Sequence, residues 1–239
     1  MTEFFRFPST PHLAWLGTGA VPRQDKLLSM DEARDILAGE VVVEEKFDGA
    51  NIGLSLDRDG LLQIQNRGQY LAAPYAGQFA RLPDWLSQHG YRLNELLNRE
   101  LILFGEWCAV RHSIGYDQLP DWFLLFDVYD RTKSRFWKTG PRDALATRAG
   151  LSVVPTLMRK KTDLATLEQL LATRSSRYRD GPMEGLIIRR ETADWCDGRA
   201  KLVRSDFIQQ IDEHWSRRRI EWNRVKWSEG DLSESRGSE

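Results

Sequence analysis

Cysteine is scarce in this chain: its 239 residues hold two, Cys108 and Cys196. They stand too far apart in sequence for a metal knuckle, and without a secretion signal they read as reduced, partly buried thiols. Long apolar runs are missing as well. Nothing approaches the roughly 18 residues of a membrane span, and the start, MTEFFRFPST, lacks the basic-then-apolar profile of a signal peptide. A cytoplasmic protein with no membrane partner is therefore expected. An excess of one charge sign is also absent, with 34 Lys and Arg against 35 Asp and Glu. Overall charge thus argues neither for nor against nucleic acid. There is no internal repeat and no low-complexity linker. What is present, 41% apolar and 29% charged residues, is the composition of a globular chain long enough for a real core.

The segment SMDEARDILAGE has a serine cap (Ser29), a glutamate three positions later (Glu32) and a closing glycine (Gly39), which predicts a short helix. The strand EVVVEEK follows, then NIGLSL and LLQIQNRG joined by the hairpin signal DRDG. FARLPDWLSQHG and RLNELLNRE read as helical, with Pro83 interrupting the first. LILFGEW and WFLLFDVYD are dense apolar runs of strand length, DLATLEQLLATR has helical spacing, and EGLIIRR and AKLVRS read as short strands. A helix is expected over 207–227, because Phe207, Ile211, Trp215 and Trp222 recur at helical intervals. The polar end from 228 to 239 reads as a disordered tail. Irregular alternation with hairpin-joined strands points to an α+β fold with mostly antiparallel sheets.

Charge is unevenly spread. HWSRRRIEWNRVKW (214–227) holds five cations, one acid and three tryptophans. Basic residues between aromatics suit phosphates and stacked bases, while a solvated helix face with its tryptophans on the core explains the same composition and is the preferred reading from composition alone.

The stretch VVVEEKFDGANIGLSL places Lys46 where an apolar strand ends and a turn feeds the hairpin. A free lysine at pH 7 lies about 3.4 pH units below its reference pKa, so roughly one molecule in 2,500 carries the reactive amine. A nucleophilic Lys46 must therefore be desolvated or set near cations that disfavour its own charge. The mouth of an apolar strand offers the first, and basic groups converging on a polyphosphate the second. Asp48 is placed to orient the amine or hold a metal, and Gly49 lets the backbone turn close to a ligand. K-x-D-G by itself is four common residues, most often a turn.

The rest of the chain changes the weight of that reading. EKFDGAN resembles motif I of the covalent nucleotidyltransferases, the superfamily of ATP-dependent ligases and mRNA capping enzymes. QNRGQY (65–70) resembles its arginine-glycine element, LFGEW (103–107) motif III, FLLFDVYD (123–130) motif IIIa, MEGLIIRR (183–190) motif IV and AKLVRSDF (200–207) motif V. The order is that of the superfamily. The resemblance implies a ligase-type nucleotidyltransferase fold, ATP-grasp-like, with ATP and Mg²⁺ or Mn²⁺ as cofactors. It implies that Lys46 attacks the α-phosphate of ATP, that Lys201 contacts that phosphate, and that Glu106 binds the ribose. Glu184 and Asp48 would hold the metal or its waters. Glu45 and Asn51 would lie in the nucleotide site. Phe126 would stack on the purine, Phe123 being the alternative. Arg67 would grip a nucleotide phosphate or the 5′-phosphate of the incoming strand, and Lys26 would approach the nucleotide.

K-F-D-G-A-N, with Asn51 closing the motif, resembles the phage-type RNA ligases that seal nicks in duplex RNA. Two departures stand out. Motif V usually carries two lysines one residue apart, whereas Val203 occupies the second place and Arg204 follows, on the opposite face of a strand. After motif V only about thirty residues remain, too few for an OB-fold. One nucleotidyltransferase domain over 1–227 is expected. Its RNA, a nicked duplex or free ends, would be gripped by the domain surface, with Arg67, Arg204, Arg218 and Arg219 contributing and a partner protein as one source of further contacts. A DNA ligase, a GTP-using guanylyltransferase and a non-catalytic end-binding protein are the alternatives.

Overall fold

The computed structural model describes residues 4–17, 26–208 and 219–226. Helix α1 (Met30–Ile36) begins as its sequence predicts: Ser29 and Glu32 cap each other reciprocally. Strands β1 (Glu40–Lys46), β2 (Ala50–Leu56) and β3 (Leu62–Asn66) follow. In the β2–β3 turn, Asp57 Oδ1 accepts from the amides of Asp59 and Leu61, and Gly60 takes the positive φ of 80° that closes it.

Helix α2 (Leu82–Leu96) corrects one expectation. Pro83 sits in its first turn, where the missing N–H has no partner to lose, so it starts a single helix instead of interrupting one. Then come β4 (Leu101–Trp107), β5 (Phe123–Asp130), β6 (Arg135–Trp137), α3 (Thr139–Ala149), β7 (Ser152–Val153), β8 (Thr156–Lys161), α4 (Leu164–Thr173), β9 (Gly185–Glu191) and β10 (Trp195–Val203). A helical turn, α5 (Ser205–Ile208), follows. The 207–227 helix fails beyond it over 219–226. There Trp222 bridges Val110, Val225 bridges Leu119, and the chain runs extended. Arg111 N–H donates to Glu221, and Asn223 holds the carbonyl of Cys108. Those partners outweigh a helical period read from four spaced apolar residues.

Among the described residues the strands form one sheet, ordered β3-β2-β4-β5-β6-β10-β9-β1-β8, with β7 added to β5 as the single parallel pair between named strands. This is the mostly antiparallel α+β architecture expected. Two cores lie on it. Ile52, Leu54, Leu103, Phe123 and Leu125 pack against α2 and α3 through Leu82, Trp85, Leu93 and Leu145. Val41, Val43, Leu186, Ile188, Ala200 and Leu202 pack against α1 and α4 through Ile36, Leu167 and Leu171. Each fully buried aliphatic here stabilises the fold by about 1.5–3 kcal/mol. Both cysteines are free and buried. No helix among the described residues is long and apolar enough to cross a membrane.

Candidate active site

Period-2 alternation decides what faces the interior of the curled sheet. On β1, Val41 and Val43 enter the α1–α4 core, so Glu44 and Lys46 point the other way. On β9 the same rule turns Ile187 and Arg189 inward, and on β10 Arg199 and Lys201. These side chains, with Asn51 of β2, Glu106 of β4 and Phe126 of β5, line one cavity of about 710 Å³. Asp48, Gly49, Arg67 and the N-terminal residues Phe7, Ser9 and Thr10 complete its wall.

Lys46 Nζ donates to Glu184 Oε1 at 2.5 Å; the lysine side chain is 25% exposed and the glutamate 4%. Burial disfavours the ammonium, but Glu184, Glu106 and Asp48 around it outweigh burial, and Lys46 is held above its ordinary value. Burial acts on Lys46 in the expected direction, but in the free protein the acids around it prevail. The acids respond in turn. Burial, reinforced by the charges of the other carboxylates, pushes Glu184 up to about 8 and Glu106 up to about 7, with Lys46 opposing. The cluster therefore holds more protons near neutral pH than its residue types suggest.

Gly49 explains how Glu106 reaches the turn. A Cβ at Gly49 would lie 2.6 Å from the Trp107 carbonyl oxygen; without one, Gly49 N–H donates to Glu106 Oε1 at 2.9 Å. Asp48 is held by the loop after β4: its Oδ2 accepts from the amides of Ser113 (2.7 Å) and Ile114 (3.0 Å), and its own N–H donates to the Tyr116 hydroxyl. One carboxylate oxygen of Asp48 is thus already occupied. Glu184 Oε2 and Asn51 Oδ1, by contrast, are buried with no hydrogen-bond partner, and both stand ready for an incoming donor or cation.

Phe126 faces the cavity at a bulge. Phe104 pairs with Asp127 and Gly105 with Leu125, leaving Phe126 unopposed; the extra residue lets Phe126 and Asp127 both line the cavity while Leu125 and Val128 keep to the core. Phe123 lies on the other face in the α2 core, so of the two phenylalanines it is Phe126 that lines the cavity. The bulge leaves the Phe126 carbonyl to be satisfied elsewhere. Two buried guanidiniums do so, Arg142 at 2.8 Å and Arg189 at 3.1 Å. Arg142 also pairs with Glu44 at 2.7 Å, Arg189 with Asp127 at 2.8 Å, and Arg199 with the second oxygen of Asp127. Sequence reading missed this network. Its signal was there, as charges set inside apolar strands in VVVEEK, FLLFDVYD and EGLIIRR.

The other predicted residues divide between the cavity and its surroundings. Glu45 is among the residues that line the cavity, but its carboxylate is turned to Ser176 Oγ (2.5 Å) and Arg177 N–H (2.9 Å) and is raised mainly by burial. Arg204 pairs with Asp206 and donates to the Leu171 carbonyl, outside the cavity, while Val203 is buried. Arg204 therefore does not stand in for a second motif V lysine. Arg219 lines a separate pocket of about 390 Å³ with Arg111 and His112. Arg218 lies outside the described residues. Lys26 is tied through its carbonyl to His12 N–H and does not line the cavity. Arg67 lines the cavity and is exposed.

A model of the RNA ligase family matches residues 39–203, a span that opens just before β1, closes at the end of β10 and contains Lys46, Glu106, Glu184 and Lys201. Among solved structures, Naegleria gruberi RNA ligase with PPi is 21% identical over 87% of this chain and 65% of that chain, with a TM-score of 0.57. A glutamate-to-alanine mutant of the same ligase with ATP and Mn is 18% identical over 87% and 62%, with a TM-score of 0.56. A lysine-to-methionine mutant with AMP and Mn is 18% identical over 87% and 64%, at 0.54. This chain spans just under two thirds of the length of those proteins, and the likeness at this identity is one of fold. No curated protein sequence matches the chain. The family match extends over more than half of the 239 residues and takes in the cavity-lining motifs, and the chain belongs to the RNA ligase family.

Proposed function

We propose that this chain is an ATP-dependent RNA ligase that joins 3′-hydroxyl and 5′-phosphate ends. The observation that carries the reading is Lys46, which pairs with the buried Glu184 at 2.5 Å and lines one cavity with Glu106, Arg67, Phe126 and Lys201. About 710 Å³ suits a nucleotide-sized ligand.

In the first step Lys46 Nζ attacks the α-phosphorus of ATP. An N–P bond forms, the P–O bond to the β-phosphate breaks, and pyrophosphate leaves. Glu184, whose Oε1 already accepts from Lys46 Nζ, takes the proton that Lys46 must shed. Lys201 offsets charge at the pentavalent phosphorus, Phe126 stacks on the purine, and Glu106 accepts from the ribose hydroxyls. In the second step an oxygen of a 5′-phosphate attacks the AMP phosphorus, the N–P bond breaks, and Glu184 returns a proton to the leaving amine, restoring Lys46. Arg67, exposed at the cavity wall, is suited to grip that terminal phosphate in two-pronged fashion. In the third step the 3′-oxygen attacks the activated 5′-phosphorus, its proton goes to solvent, and AMP leaves.

Mg²⁺ or Mn²⁺ fits beside Glu184, whose Oε2 is buried and unpartnered. Asp48 is the weaker candidate, with Oδ2 already taken by two amides. Among the described residues no group of three or more His, Cys, Asp and Glu side chains forms a metal cage, so phosphate oxygens and water would complete the shell. Bound there, the cation would offset phosphate charge and favour the neutral amine of Lys46.

The test is sealing of 5′-phosphorylated nicks in duplexes carrying RNA or DNA on the 3′-hydroxyl side, with ATP and Mg²⁺. Sealing that requires RNA at the 3′ side is expected, weakening steeply with salt as phosphate contacts are lost. Equal sealing of an all-DNA nick would move the reading to DNA ligase, and a preference for GTP would move it to guanylyltransferase chemistry.

A further inference from the structure

The sequence motifs leave the segment FRFPSTP unassigned, and it precedes the family-matched residues 39–203. The structure ties it down at both ends. At one end the Phe5 carbonyl accepts from Gln65 of β3 at 2.8 Å, and the Phe5 ring stacks on Tyr129 of β5 with centroids 3.7 Å apart. At the other, Lys201 N–H donates to the Pro11 carbonyl and Leu13 N–H to the Lys201 carbonyl, each at 2.8 Å. Between these anchors the chain must cross the gap between β5 and β10. There Phe7, Ser9 and Thr10 line the cavity.

Its position along the cavity is specific. Phe7, 6% exposed, meets the Phe126 ring edge-on at 5.2 Å. The Arg199 guanidinium lies over the Phe7 ring at 4.7 Å and the Phe136 ring at 4.0 Å, and is held from the other side by Asp127. Phe7 thus packs against the ring proposed to stack on the purine, and also against Arg199, one of the cavity's cations. Thr10 is half-buried and lines the same cavity, with a hydroxyl that can both donate and accept.

We propose that the strap Phe7–Thr10 is the base-end wall of the nucleotide cavity: Phe7 fixes the Phe126 ring, and Thr10, with Arg199, hydrogen-bonds the edge of the purine. This deepens the nucleotide reading above and rests on it. It assigns binding work to residues outside the matched family region.

The test is calorimetric affinity of the full chain for ATP and for AMP, in wild type, Thr10→Val, Phe7→Leu and Phe7→Ala, with thermal midpoints recorded. Thr10→Val keeps the shape and removes one neutral hydrogen bond, so the Kd for both nucleotides should rise about 5-fold with an unchanged midpoint. Phe7→Leu should weaken both nucleotides in parallel, and Phe7→Ala, if folded, more strongly, about 10-fold or above. Unchanged affinities in Thr10→Val and Phe7→Leu overturn the proposal. A loss confined to ATP also overturns it, because the strap would then meet the triphosphate. Wild type that binds neither nucleotide overturns this inference together with the reading beneath it. Wild type that binds ATP but forms no covalent adduct overturns the Lys46 chemistry alone, and the affinities still decide the role of the strap.

Discussion

Replacing Glu106 by glutamine should make the protein more stable at pH 8 while weakening nucleotide binding. Burial, with Asp48 adding and Lys46 opposing, pushes the Glu106 carboxyl up to about 7 from an ordinary 4.5. The sign follows from linkage. Between these two values the folded state binds more protons than the unfolded state, so stability falls as pH rises from about 4.5 through 7 and is flat beyond. The full difference of about 2.5 pH units corresponds to roughly 3.4 kcal/mol at 1.36 kcal/mol each. The side chain is half-buried, and solvent screening reduces that to about 2 kcal/mol. Glu106→Gln removes the charge and keeps the acceptor for Gly49 N–H. Against a total stability of about 5–15 kcal/mol the gain is measurable. Urea unfolding of both proteins at pH 5, 6, 7 and 8 is the assay. The variant should match wild type near pH 5 and exceed it by about 2 kcal/mol at pH 8, with unchanged m. A difference that does not vary with pH, or a variant less stable at pH 8, would refute the reasoning.

Other changes separate the supporting network from the chemistry. Arg189→Met strips a 1% exposed guanidinium from Asp127, the Phe126 carbonyl and the Trp137 carbonyl; it should lower stability by about 3–5 kcal/mol in urea unfolding, with folded protein at low temperature binding ATP more weakly. Arg204→Ala touches no cavity residue and should leave adenylylation rates unchanged, at a stability loss of about 1 kcal/mol or less by the same assay. Arg67→Ala, at an exposed position, should shift stability by less than about 0.5 kcal/mol yet slow sealing of 5′-phosphate ends at least 10-fold in a nick-joining time course.

The site was legible in the sequence where a local pattern carries it. The apolar strand, the K-F-D-G turn and the DRDG hairpin place Lys46, and alternation on β9 and β10 turns Ile187 and Lys201 inward. Three features were hidden because long-range partners decide them. Alternation from Phe123 and Leu125 already turns Phe126 inward, but it cannot show the bulge that turns Asp127 to the same side, nor the hold on the Phe126 carbonyl by Arg142, which lies in a helix the sequence reading did not identify. The carboxylates around Lys46 come from β4, from the turn after β1 and from the residue before β9, so their net effect on the lysine is a property of the assembled site. The extended run at 219–226 is set by bridges to Val110 and Leu119, which override a helical period. Pro83 shows a local signal with two outcomes: expected to interrupt a helix, it stands in the first turn of one, where its missing N–H costs nothing.

The central claim is that Lys46 is the nucleophile, and intact mass spectrometry tests it most directly. Purified wild type and Lys46→Ala are incubated with Mg²⁺ and ATP, with GTP in parallel. A single AMP adduct on wild type alone, reversed by pyrophosphate, is the predicted result. No adduct with either nucleotide, on protein shown to carry none beforehand, would contradict it.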